Sequence, residues 1–185
     1  MVEGVLGERV VIVMGVSACG KTSVGRRLAH RLGVPFADAD DLHSAANRAK
    51  MASGRPLDDT DRRPWLSALA RWIRAAAERD GGVMACSALR RDYRDRLRPP
   101  GAEVWFLHLS LDPAVALERI SARRGHFMPP ELLDSQYLLL EPLQTGEPGA
   151  TVDASGGTEE TVEAALRALA RPSRGPVPPG HRHRP

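Results

Sequence analysis

Two glycines, a lysine and a threonine carry the first chemical signal in this chain. Gly15, Gly20, Lys21 and Thr22 lie in Gly15-Val16-Ser17-Ala18-Cys19-Gly20-Lys21-Thr22, at the G-x-x-x-x-G-K-[ST] spacing of a P-loop. Glycine at those two positions lets the backbone turn its N–H groups inward, where a side chain would block a phosphate. A helix beginning near Lys21 aims the positive end of its dipole at the same place. The stretch therefore reads as a cradle for nucleotide phosphates, with Val16, Ser17, Ala18 and Cys19 forming its backbone. Lys21 is expected to reach the β- and γ-phosphates, and the Thr22 hydroxyl to ligate Mg²⁺.

A phosphate-bound metal also needs a carboxylate. The strand expected at Val83-Met84-Ala85-Cys86 runs into Ser87 and supplies none. Asp112 follows an apolar strand, but Asp112-Pro113 is the ordinary way to open a helix. Asp38 and Asp40 follow the second expected strand, which we place next to the P-loop. In an extended segment residues i and i+2 face the same way. On that reading Asp38 serves the metal's water shell, and Asp40 orients and deprotonates an acceptor hydroxyl. The competing role for these acids, and the stronger one for Asp41, is a turn or a helix cap. Arg119 and Arg123 lie one helical turn apart, beside the Gly-Pro-rich break 124–130 that looks like a movable lid. They are expected to close over the γ-phosphate, against the alternative of a solvated basic face. A thiol at a helix N-terminus beside a lysine predicts a favoured thiolate at Cys19, close to Cys86, whose oxidation would block the phosphate site. Two inert small residues are the alternative.

The elements that must hold these groups are written in the apolar spacing of the rest of the chain. Val10-Val11-Ile12-Val13-Met14 runs straight into Gly15 as a buried strand. Val24, Leu28 and Leu32 follow at helical spacing, closed by Gly33. A second strand is expected at Val34-Pro35-Phe36-Ala37 and a short helix over 44–51. Thr60 or Asp61 then caps a longer helix, with Pro64 in its first turn and Trp65, Leu66, Leu69, Trp72 and Ile73 as its apolar face. Further strands are expected at 83–86, 104–109 and 150–153. Helices are expected at 90–97, from Asp112 towards Arg123, at 131–140, and at 158–169 with Thr158 as cap. This alternation predicts an α/β fold: a P-loop NTPase with a five-stranded parallel sheet flanked by helices, of the nucleoside-monophosphate-kinase kind. Ligands then sit at the carboxyl ends of the strands.

The chain has 185 residues, which suits one domain over 1–170 with a lid at about 123–140. Residues 171–185 hold Arg171, Arg174, Arg182 and Arg184, five prolines and no acid, and read as a disordered tail. Without those four arginines the formal charge falls from +3 to −1. The body thus lacks the excess positive charge of a nucleic-acid surface. No apolar run approaches the roughly 20 residues of a membrane span, and Met1 to Gly7 is too short and polar for a signal peptide. Two cysteines are too few for a disulfide framework, which points to a reducing cytoplasm.

Met51-Ala52-Ser53-Gly54-Arg55-Pro56-Leu57-Asp58-Asp59-Thr60-Asp61-Arg62-Arg63-Pro64-Trp65-Leu66 closely resembles the signature of the small, shikimate-kinase-like gluconokinases, K-M-x-x-G-x-P-L-x-D-x-D-R-x-P-W-L. The resemblance extends to Asp38-Ala39-Asp40-Asp41-Leu42-His43, to Cys86-Ser87-Ala88-Leu89 with Tyr93-Arg94-Asp95, and to Arg123-Arg124-Gly125-His126-Phe127. It also covers Ser135-Gln136 and Leu140-Glu141-Pro142, and so roughly residues 10–155. It implies ATP-dependent phosphorylation of gluconate to 6-phosphogluconate, with ATP and Mg²⁺, usually by a homodimer. By the same carry-over Asp40, His43, Lys50, Arg62, Ser87 and His126 are acceptor-site candidates. Lys50 and Lys21 are the chain's two lysines. Four positions depart from the family: Ala18 and Cys19 fill the middle of the P-loop, Ala39 replaces a glycine and Ser44 a proline. The rival readings are a kinase of shikimate or of a nucleoside monophosphate, and a P-loop switch. A guanine-specific switch usually carries N-K-x-D, whereas the single asparagine, Asn47, is followed by Arg48.

Overall fold

Five consecutive apolar residues with no exposed surface form the middle of the sheet. Strand β1, Val10–Met14, is wholly buried, and successive side chains go to opposite faces. Val11 and Val13 join a core layer with Val24, Leu28, Leu107, Ala116, Val162 and Ala165. Val10, Ile12 and Met14 join the other layer with Leu69, Ile73, Met84 and Phe106. Each large aliphatic side chain so buried contributes about 1.5–3 kcal/mol, and two such layers fix β1 against register slip.

The computed structural model describes residues 8–53, 55, 57–122 and 131–171. After β1 come helix α1 (Lys21–Leu32), strand β2 (Phe36–Asp38), a 3₁₀ turn (Ala39–Leu42), α2 (Ala45–Ala52) and α3 (Asp59–Ala77). Then follow β3 (Gly82–Ala85), α4 (Arg91–Arg96), β4 (Val104–Ser110), α5 (Pro113–Ala122), α6 (Glu131–Leu139), β5 (Gly149–Asp153) and α7 (Thr158–Leu169). The sheet order is β2-β3-β1-β4-β5 and each neighbouring pair is parallel. The expected five-stranded parallel sheet flanked by helices is therefore the architecture found.

Several local expectations are corrected. β2 pairs with β3 at the sheet edge. It begins at Phe36, because Val34 N–H is spent on Ala29 O in closing α1 and Pro35 has none. Asp58, not Thr60 or Asp61, caps α3: its carboxylate accepts from Asp61 N–H at 2.9 Å and Asp61 returns the bond to Asp58 N–H at 3.0 Å. This reciprocal box starts the helix earlier, so Pro64 falls in the second turn. Thr158 is likewise the first helical residue of α7 rather than its cap, which is Gly157. The break expected at 124–130, and with it the first part of the lid, lies outside the described residues, as do Gly54, Pro56 and 172–185; the rest of the lid, from residue 131, is α6.

A candidate phosphoryl-transfer site

The loop between β1 and α1 is shaped by backbone that needs its glycines. Gly15 has φ 142°, and a Cβ there would lie 2.8 Å from Leu109 O and 2.9 Å from Cys19 Sγ. Gly20, at φ 94°, is the N-cap of α1 and puts Lys21 and Thr22 in its first turn. Ala18 also takes the left-handed region, at φ 63°. The Lys21 ammonium reaches back across the loop and donates to Val16 O at 2.9 Å. A cavity of about 480 Å³ opens here at the carboxyl ends of the strands, where open α/β sheets place their ligands.

One hydrogen bond draws the acidic segment to the loop. Thr22 Oγ1 donates to Asp38 Oδ2 at 2.7 Å, so α1 spans the distance that strand order puts between β2 and β1. A hydroxyl and a carboxylate are hard oxygen donors, the type Mg²⁺ takes alongside phosphate oxygens and water. Asp38 Oδ1 accepts from Asp40 N–H at 3.2 Å, because Ala39–Leu42 is a 3₁₀ turn capped by Asp38. The alternation argument for Asp38 and Asp40 is therefore corrected: the chain is no longer extended at Asp40. The turn nevertheless brings both carboxylates to the same cavity. Burial and the charge of Asp38 push the Asp40 pKa up, against the opposing pull of Lys21 and His43. A carboxylate shifted in that direction is better matched to taking a proton near neutrality.

The acceptor candidates divide. Ser87 lines the cavity and its carbonyl accepts from Gly15 N–H at 3.3 Å, tying its loop to the P-loop. His43 is buried against Trp65, ring centroids 4.5 Å apart and planes 6° from parallel. Trp65 Nε1 donates to Ala39 O at 2.7 Å. Burial pushes the His43 pKa down, which favours the neutral imidazole, and its Nδ1 has no hydrogen-bond partner among the described residues. Arg62 lies over the Tyr93 ring at 5.9 Å. Lys50 is drawn elsewhere: its ammonium bonds Asp61 and, at 3.2 Å, Asp58, locking α2 to the cap of α3.

Arg119 is held at the sheet's carboxyl edge by carbonyls near α7. Its Nη2 donates to Ser155 O at 2.8 Å and Gly156 O at 3.2 Å, on the loop before α7, while its charge still acts on the Cys19 thiol of the P-loop. Arg123 and His126 lie outside the described residues. Asp112 is a helix cap, its Oδ1 accepting from Ala114 N–H at 2.8 Å. The thiolate expectation for Cys19 is reversed: burial raises its pKa more than Lys21 lowers it. Burial likewise pushes Cys86 up to about 12. Sequence reasoning gave Gln136 no role, yet its Oε1 accepts from Ser17 N–H at 2.6 Å. The available signal was spacing: buried Leu133, Gln136 and Tyr137, which donates to Leu111 O at 2.9 Å, share one face of α6.

Comparison with known proteins places this geometry among kinases. The shikimate kinase family matches residues 17–137. A gluconokinase of Gluconobacter oxydans is 40% identical over 163 residues, covering 88% of this chain and 92% of the relative. A sugar kinase from Janibacter sp. HTCC2649, in an unliganded crystal structure, superposes with a TM-score of 0.79 at 45% identity, covering 87% of this chain and 94% of that one. A gluconokinase from Sinorhizobium meliloti 1021 gives 0.77 at 42% identity, covering 89% and 92%.

Proposed function

The chain belongs to the gluconokinase family, and from that premise we propose that it phosphorylates gluconate at its primary hydroxyl with ATP, giving 6-phosphogluconate and ADP. The observation that carries the mechanism is the Thr22–Asp38 bond, with Asp40 beside it at the mouth of the P-loop. The loop N–H groups and Lys21 bind the nucleotide phosphates and hold the γ-phosphoryl in line. Thr22 and Asp38 would hold Mg²⁺, which would supply positive charge to offset that of the phosphates. Asp40 accepts the proton of the attacking hydroxyl as its oxygen bonds to the γ-phosphorus. The bond from that phosphorus to the β–γ bridging oxygen breaks and ADP leaves with the electron pair. Ser87 and His43 offer hydroxyl and imidazole contacts to the polyol on the side away from the nucleotide. Arg123, from its place beside the lid, and His126, from the family carry-over, complete the proposed set; the family likeness also supports a homodimer, and the two-cysteine composition a cytoplasmic location. Among the described residues no helix is long and apolar enough to cross a membrane.

The test is ADP release from Mg-ATP across gluconate, other aldonates, glucose, shikimate, AMP and no acceptor, for wild type and Asp40→Asn. The expected result is gluconate-dependent turnover that falls by about 10²–10⁴ in the variant. Turnover surviving in Asp40→Asn removes the base assignment and keeps the kinase. Activity on shikimate alone replaces the substrate.

A further inference from the structure

Arg94 sits on the six-residue helix α4, in a stretch so charged that it reads as surface, yet it is 0% exposed. Its guanidinium makes six hydrogen bonds. Two form a fork on Glu147, from Nε at 2.7 Å and Nη2 at 2.9 Å, and the Glu147 side chain is itself buried. Nη1 donates to Ala88 O at 3.2 Å, Leu89 O at 3.1 Å and Glu141 O at 3.1 Å, and Nη2 to Pro142 O at 3.4 Å. Two further bonds close the same seam: Glu141 N–H to Leu89 O at 2.9 Å, and Arg91 N–H to Glu141 Oε2 at 2.6 Å.

These bonds converge on a strained place. Ala88 has φ 41°, a conformation that costs a non-glycine residue of order 1 kcal/mol or more and persists only where its surroundings over-determine it. The residue before it, Ser87, lines the cavity and holds Gly15 N–H. The segment on the other side of Arg94, 141–147, leads directly out of α6, whose Gln136 holds Ser17 N–H. A buried ion pair is a poor device for stability alone, since apolar residues of similar volume often do as well. What a forked, planar cation supplies is fixed geometry among several carbonyls at once.

We propose that Arg94 is a positioning residue for the acceptor pocket. It holds Ser87–Leu89 in the strained turn that presents Ser87 to the cavity, and it fastens that turn to the segment leaving α6. The acceptor side of the site and the helix that touches the P-loop then form one body. This rests on reading the cavity as a phosphoryl-transfer site, and it adds a residue that touches no substrate.

The experiment compares wild type, Arg94→Lys, Glu147→Gln, Ser87→Ala and the Arg94→Lys/Ser87→Ala double variant, each first shown to be folded by its unfolding midpoint. Initial rates are measured against gluconate at saturating Mg-ATP and against Mg-ATP at saturating gluconate, with Mg-ADP affinity by calorimetry. The expected result is a gluconate KM raised about 3–10-fold in Arg94→Lys, Glu147→Gln and Ser87→Ala, the worth of one hydrogen bond. KM for Mg-ATP and Mg-ADP affinity stay within twofold, and the double variant rises no further than Arg94→Lys. A folded Arg94→Lys or Glu147→Gln with unchanged gluconate KM overturns the proposal. So does a parallel rise in both KM values, which marks a general loosening of the fold. A wild-type protein that ignores gluconate and uses another acceptor overturns the substrate assignment instead; the same split read with that acceptor then decides Arg94.

Discussion

Ala18 gives a prediction in which two opposing effects can be weighed. Its φ of 63° lies in the left-handed region, which costs an L-residue roughly 1–2 kcal/mol. Replacing it by glycine removes that strain but frees the unfolded chain, a loss of roughly 0.4–1 kcal/mol. The balance for Ala18→Gly is a gain of about 0–1.5 kcal/mol, centred near 0.8 kcal/mol. In a chain of this size 1 kcal/mol moves Tm by about 2–4 °C, so the expected rise is about 1–3 °C. The loop N–H groups already have their inward geometry, so KM for Mg-ATP should stay within twofold. Ala18→Val should do the opposite and by more, because a β-branched residue tolerates φ above zero poorly. Differential scanning fluorimetry and urea unfolding measure the first effect and initial rates the second. A fall in Tm on Ala18→Gly refutes the reasoning, for it would mean that the methyl group's contacts outweigh the backbone strain. A tenfold change in KM would mean instead that the alanine sets the loop's shape.

Burial and Asp38 raise the Asp40 pKa, so the acid limb of kcat/KM should lie above the ordinary carboxylate range. Asp38→Asn should move the limb of the residual activity to lower pH; an unmoved limb assigns it to another group. Burial also lowers the pKa of His43 and His108, helped at His108 by Arg94. The unfolded chain therefore binds more protons than the folded one below about pH 6.5, and stability should fall as pH drops through that range. His108→Gln should lose less urea stability than wild type between pH 7.5 and 5.5; equal losses would clear His108. Since burial keeps both thiols protonated, iodoacetamide at pH 7.5 should leave Cys19 and Cys86 unlabelled in the native protein and label both in urea. Rapid native labelling of Cys19 would restore the reactive-thiol reading.

The strand, loop and first helix were legible because their signals are local: an apolar run, two glycines with a lysine, and helical spacing closed by Gly33. The meeting of Thr22 with Asp38 was legible from motif and topology together. The direction of Asp40 was not, because Asp38 caps a tight turn where an extended strand was expected. Long side chains escaped for a different reason. Lys50 and Arg119 reach several possible partners, and only the fold decides that the α3 cap and the Ser155–Gly156 carbonyls are nearest. Arg94 hid in a charged helix whose partners are 47 and 53 residues away. At Cys19 the lysine beside the thiol was visible in sequence, while the burial that overrides it was not.

Strand β1 has a consequence for the newborn chain. It is made first, yet its two neighbours in the sheet begin at Gly82 and Val104. Parallel pairing cannot be supplied by the residues just behind it. A ribosome adding about 5–20 residues per second therefore holds Val10–Met14 unpaired for several seconds, an uncharged β-prone run of the kind that aggregates. The P-loop that hangs from its end cannot take its shape before β4 has emerged. Synthesis of this enzyme thus has a vulnerable interval written into its strand order, during which a holdase, or slower translation before residue 104, should alter the soluble yield without altering the finished protein.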